Sequence, residues 1–65
     1  MDMNEIKGNW KELKGTLRLK WGKLTDDDLE QVAGRKDVLI GRLQARYGRA
    51  KEEAEREVDE WISSI

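Results

Sequence analysis

Apolar residues recur three and four apart along the first part of this chain, at Ile6, Trp10, Leu13, Leu17, Trp21 and Leu24, a spacing that confines them to one edge of a helix. Such an edge has to be buried against something. Further stripes supply it: Leu29, Val32 and Ala33; then Val38, Leu39, Leu43 and Tyr47 with Ile40 beside them; and last Ala50, Ala54, Val58, Trp61 and Ile62. No alternating strand pattern competes, so the chain reads as all-α.

Helix boundaries are written into the polar residues between the stripes. Asp2 with Glu5 and Asn9 with Glu12 each have the form of a capping box, predicting a short helix over 3–8 and a longer one over 9–21. Leu24-Thr25-Asp26-Asp27-Asp28-Leu29 is the clearest start signal: Thr25 can accept from the opening amides, three carboxylates sit at the positive end of the helix dipole, and Leu24 and Leu29 are spaced as a hydrophobic staple. Gly34 is the natural stop for that helix. The next is expected over 36–47 with Gly48 as terminator, and the last runs to about Ile62. Its exposed side carries opposite charges four apart, Arg49 with Glu53, Lys51 with Glu55 and Glu52 with Arg56.

Gly8, Gly15 and Gly22 are seven apart, as are Gly34, Gly41 and Gly48, either a faint duplication or a coincidence. Gly15 and Gly41 fall inside expected helices, where each costs about 0.5–1 kcal/mol relative to Ala. Close approach of another helix within the fold is the favoured compensation; a flat surface for a partner is the other.

A chain of 65 residues makes one domain, here 1–65, with one small core. It has no Cys and no His, so neither disulfide nor zinc can staple it, and packing must suffice. At 42% charged residues, disorder is a competing expectation, but capped helices with aligned apolar edges and short connectors argue for a compact bundle of four to five helices. The start, Met1-Asp2-Met3-Asn4-Glu5, does not resemble a signal peptide and no apolar run reaches bilayer length, so the expectation is a soluble cytoplasmic protein that does not insert into membranes.

The residue types that carry most chemistry are absent. Asp26-Asp27-Asp28 lacks the alternating ligands and central glycine of an EF-hand loop and reads as helix capping. Glu52, Glu53, Glu55, Glu57, Asp59 and Glu60 spread around one exposed helix without the apolar cleft a general acid needs. The expectation is therefore no catalytic residues, no metal and no cofactor. Trp10, Trp21 and Trp61 each fall in an apolar stripe and are assigned to the core, where, with no Phe present, they and Tyr47 supply the aromatic bulk.

One constellation points outward. Lys7, Lys11, Lys14 and Arg18 fall along one side of the first helical segment beside Gly8 and Gly15, a basic ridge of the kind that contacts nucleic acid or an anionic surface, although a charged outer face is also what any soluble helix requires. Charge is uneven along the chain: residues 1–25 hold six Lys/Arg against three Asp/Glu, net +3, and residues 26–65 hold seven against eleven, net −4. A monomer is expected, although the glycines and the apolar end at Ile62 and Ile65 leave self-association open.

The segments Gly8-Asn9-Trp10-Lys11-Glu12-Leu13-Lys14-Gly15, Trp21-Gly22-Lys23-Leu24-Thr25-Asp26-Asp27-Asp28 and Gly41-Arg42-Leu43-Gln44-Ala45-Arg46-Tyr47-Gly48, continued by Lys51-Glu52-Glu53-Ala54-Glu55 to Trp61, closely resemble the CsbD-like family of small bacterial proteins. The resemblance implies a cytoplasmic protein accumulated under general, osmotic or stationary-phase stress. It implies a fold of four or five short helices resembling two packed helical hairpins, and supplies no catalytic or ligand-binding residue. Where the family pattern carries Ser before the Lys-Glu-Glu-Ala stretch, this chain has Ala50, so the last helix loses a cap, a cost of about 1 kcal/mol.

Overall fold

Thr25 starts a helix as its surroundings demand. Its Oγ1 accepts from the Asp28 amide at 3.1 Å, and its own amide donates to the Asp28 carboxylate at 3.0 Å, a reciprocal capping box. The computed structural model describes residues 3–64, with side chains from Ile6 onward. It contains five helices: α1 (Met3–Gly8), α2 (Trp10–Lys20), α3 (Asp26–Val32), α4 (Lys36–Tyr47) and α5 (Lys51–Ser64). No strand occurs among the described residues. The most extensive helix–helix packing is between α4 and α5, followed by α3 with α4 and α1 with α2.

Several boundary signals act differently from their sequence reading. The Asp2–Glu5 box lies outside the described residues. Asn9 separates α1 from α2, but its backbone (φ −107°, ψ 16°) is not in the extended region that aims a capping side chain, and that side chain makes no cap bond. Its carbonyl instead accepts the Glu12 and Leu13 amides, each at 3.0 Å, so the second expected capping box is absent. α3 closes through Ala33 in the left-handed conformation (φ 46°), with Gly34 (φ 82°) following, so the turn occupies two residues instead of Gly34 alone. Gly48 (φ 66°) caps α4 as expected, its amide donating to Gln44 O at 3.0 Å. α5 continues past Ile62 to Ser64, whose hydroxyl donates to Trp61 O at 2.9 Å.

The core collects one face from every helix: Ile6 from α1; Leu13 and Leu17 from α2; Leu29 and Val32 from α3; Leu39, Ile40 and Leu43 from α4; Ala54, Val58 and Trp61 from α5; with Trp21 and Leu24 from the α2–α3 turn. Trp21 and Trp61 meet edge-on at its centre, ring centroids 5.8 Å apart and planes at 66°. Both members of the Leu24–Leu29 staple are fully buried. Trp10, Val38, Tyr47 and Ile62 pack against the core while half-exposed. Ala33 and Ala50, which the apolar stripes included, lie at the surface, each at a helix end where its face no longer points inward.

The interior glycines do not compensate their cost by close packing. A Cβ on Gly15 or on Gly41 would meet nothing within 4 Å, which removes the favoured explanation for both. The close approach is at Gly34 instead, where a Cβ would lie 2.8 Å from the Lys7 Cα and 3.2 Å from its amide nitrogen. That contact seats α1 against the α3–α4 turn.

Candidate anionic-partner surface

Leu13 and Leu17 turn one side of α2 into the core, and the helical repeat then sends Lys11, Gly15 and Leu19 outward. The four residues of the expected basic ridge occupy this region without forming one continuous row. Lys11 and Arg18 are exposed and Lys14 half-buried on α2. Lys7 is exposed on α1, across the break at Asn9. Lys14 and Arg18 border a shallow depression with Gly15, Asp26, Leu29 and Glu30. Lys7 belongs to a different one, with Arg35, Lys36, Asp37 and Gln44 among its walls.

The pairing of these cations differs from that of cations elsewhere. Between residues 7 and 23 stand six cations (the four of the ridge, Lys20 and Lys23) against one acid, Glu12. Among the described residues only Arg18 of the six makes a salt bridge, to Asp26. Lys20 Nζ sits 5.4 Å from the Trp21 ring centroid and Lys23 Nζ 5.1 Å from that of Tyr47. The Lys23 amide also donates to the Tyr47 hydroxyl at 3.1 Å, tying the α2–α3 turn to the end of α4.

The second feature was not legible in sequence. Asp28 is 2% exposed, the one buried charged residue described, and Arg46 of α4 grips it through Nε (2.8 Å) and Nη2 (3.1 Å). Arg42 stands 3.8 Å away. The Arg46 hydrogen bonds outweigh the penalty of burial and, with those from Thr25, hold the Asp28 carboxyl down at about 2, while the carboxylate raises Arg46 in return. Sequence identified Asp28 as a capping residue but had no means to find a partner eighteen positions on.

Leu19 was also missed. It falls outside the apolar stripe of α2 and is 90% exposed, the one large hydrophobic so exposed among the described residues.

Some of the acids that invited a chemical reading are taken up in ion pairs and the others lie at the surface. Asp26 and Asp28 are in ion pairs, consistent with capping. Glu52, Glu55, Asp59 and Glu60 line an open groove with Arg56, Ser63 and Ser64 on the surface of α5. None of the three expected pairs four apart on α5 forms a salt bridge. Arg49, lying before the helix starts, reaches two turns along it to Glu57 (2.6 Å), and Lys36 of α4 takes Asp59. No group of three or more acidic side chains able to hold a metal ion occurs among the described residues, and no described helix is long and apolar enough to cross a membrane.

A CsbD-like family model matches residues 4–56. A UPF0337 protein of Rhodopseudomonas palustris is 52% identical over 65 residues, covering 100% of this chain and 98% of its own length. UPF0337 protein YjbJ of Escherichia coli O6:H1 is 51% identical over 61 residues, and a UPF0337 protein of Pectobacterium atrosepticum 52% over 61; both alignments cover 94% of this chain and 88% of the relative.

Proposed function

The chain belongs to the CsbD-like family, and from that premise we propose that it is a non-enzymatic, cytoplasmic stress-response protein that works as a monomer by binding an anionic partner on the basic side of α1 and α2. One observation carries the reading: the positive charge of residues 7–23 is left facing solvent. Five of its six cations have no carboxylate partner among the described residues. Beyond that segment four of the seven cations are paired with carboxylates, Arg42 and Arg46 on Asp28, Lys36 on Asp59 and Arg49 on Glu57. A solvated face needs no such separation. Binding through Lys7, Lys11, Lys14 and Arg18 releases counterions, which makes affinity depend steeply on salt.

The test is a salt titration of binding to a DNA duplex and, in parallel, to anionic vesicles. If all four side chains contact phosphates, duplex affinity falls about a hundredfold between about 50 and 200 mM salt. The Lys7→Gln, Lys11→Gln, Lys14→Gln, Arg18→Gln variant loses binding to whichever ligand is bound. Absence of binding to both ligands at low salt retires the reading and leaves action through bulk abundance.

A further inference from the structure

Resting on that reading, we propose that the anionic partner is a lipid bilayer surface and that Leu19 is the apolar anchor entering it. Leu19 projects from the outward side of α2, opposite the Leu13 and Leu17 face, and is 90% exposed. A lone exposed leucine is ordinary on a protein surface. Cations flank it along the chain, Lys11 two turns back, Arg18 and Lys20 next to it and Lys23 just beyond the helix, the ammonium groups of the last two lying over the Trp21 and Tyr47 rings. Glu12 is the one acid on α2.

The relief around Leu19 is low. Gly15 stands one turn before it with no atom within 4 Å of where a Cβ would be, and near Gly22, beyond the helix, only the Arg18 carbonyl comes close, at 3.9 Å. The open space at Gly15 leaves Leu19 without a side chain to lean on one turn back, while Thr16 and Glu12 share its side of the helix. A duplex backbone would satisfy the cations but offer the leucine nothing. An anionic bilayer takes both, cations at the headgroups and the isobutyl group at the acyl boundary. Asp26 and Glu30 of α3 border this surface beside Lys14 and Arg18, while the acids of α5 line a separate groove. This is contact in the interfacial plane, without spanning.

Vesicles of equal parts phosphatidylglycerol and phosphatidylcholine, compared with phosphatidylcholine alone at low salt, test the proposal by co-sedimentation, with the DNA duplex titrated alongside. Wild type is expected to bind the mixed vesicles and not the neutral ones. Leu19→Ala is expected to weaken vesicle binding about tenfold, the loss of a partly inserted apolar group, with helicity and duplex affinity unchanged. Leu19→Met should stay within about twofold of wild type. Vesicle binding by Leu19→Ala as tight as wild type overturns the anchor while the charge reading stands. Duplex binding without vesicle binding overturns the lipid assignment alone. Binding to neither ligand overturns both.

Discussion

α1 and α2 differ from α3, α4 and α5 in how each group is held. Across α3–α5, polar contacts reinforce packing: Asp28 clamps α3 to α4 through Arg46, Arg42 Nη2 donates to Gln31 Oε1, Arg35 Nη2 donates to Gln31 O at 2.7 Å, and Lys36 joins Asp59 of α5. α1 and α2 reach the rest mainly through Ile6, Leu13 and Leu17, the Arg18–Asp26 pair and the close seat of Lys7 on Gly34. One group pairs most of its arginines with carboxylates and the other leaves most of its cations without one. A small protein whose core takes side chains from both groups can therefore leave one outer face free of internal duties.

If the core is one cooperative unit, removing a buried leucine from either group should be equally damaging. Leu17→Ala and Leu43→Ala, both at fully buried sites, should each cost about 2–5 kcal/mol and give a single urea transition. A second transition in Leu17→Ala alone would show that α1 and α2 melt separately.

The clamp gives the next largest effect. Asp28→Ala removes both the cap and the anchor of Arg46, a loss of about 2–3 kcal/mol, below the full cost of breaking a buried pair because Arg46 is half in water and can be resolvated. The same carboxyl sets an acid limit. Its folded value lies near 2 against an ordinary 3.8, so its contribution is complete above about pH 4 and is lost as pH falls through about 2. Urea midpoints measured across that window should drop in wild type and drop less in Asp28→Asn.

Glycines sharpen the contrast with smaller effects of opposite sign. Gly34→Ala places a methyl against the Lys7 backbone at a left-handed residue and should destabilise by about 1–2 kcal/mol from the backbone conformation alone. Gly15→Ala meets open space within a helix and should raise stability by about 0.5–1 kcal/mol in thermal unfolding.

Helix placement and nearly all of the core were legible because both follow from local periodicity and caps. Thr25 and Gly48 performed as read, and every stripe residue other than Ala33 and Ala50 is buried or packs on the core. Apart from the Asn9 cap and the exact ends of α3 and α5, what failed was non-local. The roles of Gly15, Gly41 and Gly34 depend on which backbone passes nearby, and Arg49 pairs with Glu57 where the four-residue spacing pointed to Glu53. The cations Lys7, Lys11, Lys14 and Arg18 could be named from spacing and the break at Asn9 was expected, but the capture of Arg18 by Asp26 could not be read. Leu19 was visible to the same helical arithmetic that found Leu13 and Leu17, had the polar side of the helix been inspected for a misplaced apolar residue.

The edge-on meeting of Trp21 and Trp61 has an optical consequence. One indole comes from the end of α2 and the other from α5, at a separation where their excited states couple. The coupled near-ultraviolet circular dichroism of the pair is therefore a label-free gauge of whether these two elements stay joined. It would register a parting of α2 from α5 even if both remained helical.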